Sequence, residues 1–134
     1  MDMRGRNRSL AMIRWPFLLA TIAAAAASTA HADWPKRGSF PCYWTYGRLS
    51  TANGGPPNYR IWPKGTNRLL GVYGRNKKGD FEPDILPTAI KRLNPSFHVD
   101  IWGNYKICPI VEERKGWMRM VEIKQARNLN AVTR

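Results

Sequence analysis

The chain has 134 residues, with 22 lysines and arginines against 9 aspartates and glutamates, a formal net charge of +13 at pH 7. That length bounds the fold to one small domain, and that charge favours anionic partners such as nucleic acid, lipid head groups or acidic polysaccharide. With His31 inside the leader expected below and both cysteines expected to pair with each other, one histidine is left, too few for a zinc or copper centre, and no glycine-rich phosphate cradle is present.

Residues 1–32 have the pattern of an export signal. Arg4, Arg6, Arg8 and Arg14 form a basic start, residues 17–27 an apolar run, and Ala30-His31-Ala32 a small-x-small cleavage pattern. The apolar run is shorter than the roughly 20 residues a membrane-spanning helix needs, so a cleaved signal peptide is expected rather than an anchor. No cysteine lies near the cut and no adjacent arginine pair precedes the run, which points to Sec-type export into the periplasm or beyond. Cleavage before Asp33 would leave 102 residues (134 minus 32), with 18 basic (22 minus 4) and 8 acidic (9 minus 1) side chains and no transmembrane segment. Cys42 and Cys108 both remain in that product, and in an oxidising compartment an isolated pair is most simply a disulfide.

Residues 33–41 are a polar, proline-containing lead-in. Residues 42–50 are rich in aromatic and β-favouring types and predict a first strand, with Gly47 a bend or bulge point. Asn53-Gly54-Gly55-Pro56-Pro57 marks a loop. Residues 59–62 predict a second strand, Pro63-Lys64-Gly65-Thr66 a turn, and residues 68–73 a third strand, together an antiparallel meander. A basic loop over residues 74–80 leads into one helix. Asp84 is its expected cap, and Ile85, Leu86, Ala89, Ile90 and Leu93 share a face at helical spacing. Pro87 sits in its first turn and Asn94-Pro95 ends it. Phe97, Val99 and Ile101 then alternate with His98, Asp100 and Trp102, the pattern of a half-buried strand. Gly103-Asn104 predicts either a bulge or a hairpin turn. Residues 105–110 continue the β pattern, residues 112–116 form a charged loop, residues 117–124 a last strand, and from residue 128 a frayed tail is expected.

Three strands, a helix and two strands is the order of a five-stranded Greek-key barrel of the OB type, whose helix lies between strands three and four. That small, mainly β barrel over residues 33–134 is the expected fold; an α+β roll, with the helix covering one sheet face, is the alternative. Strands one and four are neighbours in such a barrel, which would let Cys42 and Cys108 meet.

Two polar constellations invite a catalytic or metal reading, and neither carries it. Ser96, His98 and Asp100 would share one strand face, but same-face neighbours stand about 6–7 Å apart, beyond the reach a nucleophile and its base need. Asp80, Glu82 and Asp84 lack the ligand number and loop spacing of a calcium site, so they are expected to solvate the loop and cap the helix. The stronger candidate is a binding surface. Tyr46, Arg48, Arg60, Trp62 and Lys64 fall on the first two strands and their turn, where aromatics beside arginines could stack on planar groups and pair with anions.

Two blocks resemble a known family. Gly47-Arg48-Leu49-Ser50, Asn58-Tyr59-Arg60-Ile61-Trp62 and Gly65-Thr66-Asn67-Arg68-Leu69-Leu70-Gly71-Val72 form one, and Cys108-Pro109 with residues 118–129 the other. Together they resemble small exported proteins of unknown function from Gram-negative bacteria, particularly alphaproteobacteria. That resemblance implies location and origin but no activity. It also implies a further cysteine in the last strand, for which Val121 and its neighbours offer no counterpart, so the partner of Cys108 stays open on this ground. The topology is similar to that of periplasmic OB-fold stress proteins, an analogy of fold alone.

The expected function is a non-enzymatic periplasmic or secreted binding module for an anionic glycan, a lipid head group or an envelope protein, without a cofactor. Export disfavours nucleic acid as the partner. The alternative is a structural or stress-related envelope protein whose basic surface has no dedicated ligand.

Overall fold

Apolar and polar residues alternate with a period of two through much of residues 34–134, the part of the chain that the computed structural model describes, and this part forms six strands. These are β1 (Tyr43–Thr51), β2 (Tyr59–Pro63), β3 (Leu70–Arg75), β4 (Phe81–Pro83), β5 (Val99–Pro109) and β6 (Arg119–Thr133), with one short helix, α1 (Thr88–Lys91), between β4 and β5. The export signal expected over residues 1–32 lies outside the described residues. No helix among the described residues is long and apolar enough to cross a membrane.

Five of the strands close a ring. β1 pairs antiparallel with β2 and with β5, β5 pairs antiparallel with β6, β6 runs parallel to β3, and β3 returns to β2. β6 takes one edge of β3. On the other edge β2 pairs with Leu70 and Gly71, and β4 continues from Tyr73 to Arg75 where β2 leaves off. The expected five strands are therefore corrected to six: Phe81, inside a stretch lacking a clear alternation, finds pairing only because β3 outruns β2.

The inward residues meet at the centre of the ring. Leu49, Ile61, Leu70, Val72, Ile101, Ile107 and Val121 are fully buried there, and Leu86 and Ile90 add the apolar side of the helical segment. Tyr105 is fully buried among them, and its hydroxyl donates to the Ile101 carbonyl at 2.7 Å, so the one polar atom it carries into the core is satisfied. Gly47 lies where β1 and β2 approach most closely: a Cβ there would fall on the Trp62 carbonyl and 3.0 Å from Pro63 Cα.

The disulfide is formed between Cys42 and Cys108, with Cα atoms 4.1 Å apart. It extends the β1–β5 ladder by one position, since Tyr43 already faces Ile107.

Three local expectations are corrected by tertiary contacts. Asp84 does not cap the helix. Its backbone is left-handed at φ 65°, and its carboxylate accepts from the Asn58 and Tyr59 amides at 2.6 and 2.9 Å and from Asn58 Nδ2 at 3.1 Å. It thus ties the start of β2 to the end of β4, and the helix shrinks to a single turn after Pro87. Gly103 makes a bulge and not a hairpin, because β5 runs on to Pro109 with a register shift against β6 between Trp102 and Asn104. A side chain at Gly103 would meet Leu129 Cδ2 at 2.6 Å. Residues after 128 do not fray: they pair with β5 from Val99 to Trp102, and Leu129 packs on the core.

Candidate functional site

The outward residues of β1, β2 and β5 form one face. The β1–β2 register sets Arg48 opposite Trp62 and Ser50 opposite Arg60; the β1–β5 register sets Arg48 opposite Trp102 and Tyr46 opposite Asn104. Lys64 sits beside Tyr46, its amide donating to the Tyr46 carbonyl at 2.9 Å. All five residues singled out from the sequence, Tyr46, Arg48, Arg60, Trp62 and Lys64, therefore come together on this face.

Cations and aromatic rings interleave across it. The Arg48 guanidinium lies 5.0 Å from the Trp62 ring centre, Lys64 Nζ 5.8 Å from Tyr46, and the Arg127 guanidinium, on β6, 4.5 Å from Trp44. Tyr46 and Trp102 are tilted neighbours at 5.8 Å. Trp44, Tyr46 and Trp62 are 41%, 44% and 45% exposed, unusual for side chains of that size. At exposed sites each cation–ring contact stabilises by about 0.5–1 kcal/mol. That is enough to aim a guanidinium and too little to prevent a ligand from recruiting it.

One end of the face opens into a cleft of about 440 Å³, whose polar walls include Arg48, Ser50, Thr51, Asn53, Arg60 and Arg134, and whose apolar walls include Trp62, Leu69 and Phe97. A shallower depression of about 220 Å³ adjoins it across Arg48 and Trp62 and reaches Lys64 and Trp102. The buried Asp100 braces the cleft. Its Oδ1 accepts from Arg134 Nε at 2.8 Å and faces Arg134 Nη2 at 2.6 Å, while Oδ2 stands 3.8 Å from Arg48 Nη1. Arg60 Nε donates to the Pro57 carbonyl at 3.1 Å, and no carboxylate among the described residues lies within 4.0 Å of it. The cleft therefore keeps positive charge that its own acid does not cancel.

Three buried polar atoms at this cleft, Arg48 Nε, Ser50 Oγ and Thr51 Oγ1, make no hydrogen bond within the protein. Unpaired buried polar groups are rare because each loses its hydration without compensation. Arg48, Ser50 and Thr51 all line the cleft, so the three unmet atoms lie within its wall, just behind the open surface.

The other constellations disperse. Ser96 and Val99 close a tight turn before β5, the Ser96 hydroxyl accepts from the His98 amide, and Asp100 is committed to the arginines. Glu82 accepts from Asn76 Nδ2, and Asp84 is engaged by β2. Among the described residues no three His, Cys, Asp or Glu side chains converge as a metal site would require.

Trp44, Trp102, Arg127, Asp100 and Arg134 complete the face and were missed from the sequence. A signal for three of them existed. If Cys42 and Cys108 are directly opposed on antiparallel strands, Arg48 must face Trp102, and alternation places Trp44 beside Tyr46 and Asp100 beside Trp102 on the same side. Arg127 and Arg134 carried no such signal, since they lie near or within the expected tail.

Comparison with protein families, with curated proteins and with solved structures finds no match. The family resemblance rests on its two sequence blocks alone.

Proposed function

We propose that this chain is an exported, non-enzymatic binding module of the periplasm or cell exterior, and that its ligand is an anionic component of the envelope. The observation that carries this reading is the outer face of β1, β2 and β5, where Arg48 and Lys64 are held against the exposed rings of Trp62 and Tyr46, and Arg127 of β6 against Trp44. Such a surface offers stacking area and charge to one ligand, which a merely solvating basic surface has no need to do. The formed disulfide accords with an oxidising compartment. The architecture fits an OB-type barrel, in which the extra β4 is an appendage: the first strand neighbours the penultimate one, and the helix precedes that strand. Ring closure favours this barrel over an α+β roll.

Retention on immobilised heparin, with the salt concentration of elution as readout, tests the proposal. Arg60→Ala combined with Trp62→Ala should elute at clearly lower salt than the unaltered protein while unfolding at a similar temperature. Equal elution would refute this face as the binding surface and leave the basic charge without a dedicated partner.

A further inference from the structure

We infer that the cleft between Arg48, Arg60 and Arg134 takes a sugar ring bearing one acidic group, a carboxylate or a phosphate. This names the ligand chemistry of the face proposed above and rests on that reading. Three independent requirements converge on it. Asp100 is engaged chiefly by Arg134 and stands farther from Arg48, so Arg48 and Arg60 are the cations left to pair with an anion. The cleft wall also holds an unpaired donor, Arg48 Nε, and two unpaired hydroxyls, Ser50 Oγ and Thr51 Oγ1, which a small side-chain turn on binding would bring to a ligand that both donates and accepts. A polyhydroxylated acid supplies all of these from one ring, whereas a simple anion, though its oxygens can accept from the hydroxyls, leaves the exposed Trp62 and Phe97 rings uncovered. Finally, Trp62 and Phe97, 45% and 50% exposed, present aromatic surface at the same opening, against which the C–H face of a pyranose packs.

The volume agrees. About 440 Å³ lies near the lower end of the usual 300–1,000 Å³ range of small-molecule sites, a size for a mono- or disaccharide unit. A longer acidic glycan would continue along the Trp62–Arg48–Trp102 row, where the adjoining depression lies.

The test is a titration of the isotope-labelled protein followed by NMR, reading the Trp62 indole N–H and the Ser50 and Thr51 amides. The probes are glucuronate, glucose 6-phosphate, methyl glucoside and inorganic phosphate. Both acidic sugars should move these signals with a dissociation constant at least ten-fold below that of methyl glucoside and of inorganic phosphate. The tighter of the two identifies the source as a uronate polysaccharide or a phosphorylated glycolipid. Ser50→Ala with Thr51→Val should weaken the acidic sugars about ten-fold and weaken phosphate by less; an equal loss for both would overturn the sugar assignment. Phosphate binding as tightly as the acidic sugars would overturn the sugar assignment, and methyl glucoside binding as tightly would overturn the acidic one. Heparin retention run in parallel separates the two readings. Retention without any cleft response overturns this inference alone; loss of both overturns the proposed function as well.

Discussion

Replacing both half-cystines, Cys42→Ala with Cys108→Ala, removes a bridge that closes a loop of 66 residues. In the chain-entropy treatment that loop restricts the unfolded ensemble by about 15 cal/mol/K, or about 4 kcal/mol at 25 °C. The native side of the balance changes little, because the bridge prolongs a ladder already held by the pairing of β1 with β5 from Tyr43 to Leu49. A domain of this size has a total stability of roughly 5–15 kcal/mol, so the loss is a large share of it. Each kcal/mol displaces the melting point of such a domain by roughly 4–8 °C, and a fall of 15 °C or more is expected. Urea unfolding of the oxidised protein and the double variant should show the lower stability together with a steeper dependence on urea, since the unbridged chain exposes more surface when unfolded. A loss below about 1 kcal/mol with an unchanged slope would refute the entropic reasoning. The Trp44 end of the proposed binding face, next to the bridge in the ladder, should also show the largest gain in amide exchange.

Asp84→Ala should destabilise by about 2–3 kcal/mol, as the Asn58 and Tyr59 amides lose a charged acceptor. Asp84→Asn, which keeps a carbonyl at that position, should cost less, and equal thermal shifts for the two variants would contradict this role. Burial pushes the Tyr105 phenol well above its ordinary value of 10.0, with Tyr46 adding to the rise, and burial with Asp84 raises Tyr73 against the opposing Arg37. The unfolded chain therefore releases these protons first, so stability is fully present below about pH 10 and falls as pH rises beyond it. Tyr105→Phe should cost about 1 kcal/mol at neutral pH for the lost bond to Ile101 and should flatten that alkaline decline; an unchanged decline would assign it to other groups.

The local patterns in the chain were enough to place most strands within a residue or two, because a strand declares itself through alternation of its own neighbours. They were enough for the disulfide and for the sharing of one face by Tyr46, Arg48, Arg60, Trp62 and Lys64. The same reasoning failed wherever a residue's conformation answers to a distant partner. Asp84 has the type and position of a helix cap, yet Asn58 and Tyr59, at the entry to β2, compete for its carboxylate and win with three hydrogen bonds. The tail looked frayed because its composition is polar, and it is ordered by pairing with β5.

The sequence by itself determined which side chains point inward, where the chain turns and that its surface is basic, since these follow from side-chain type at a period of two and from glycine and proline placement. Only the tertiary structure decided that the two half-cystines stand directly opposed and so set the register of β1 against β5, the capture of Asp100 by Arg134 and the cleft that results. Those depend on hydrogen-bond pairing between segments that are dozens of residues apart, and a one-position slip, invisible in composition, would have sent Trp102 into the core and left Arg48 without its neighbour.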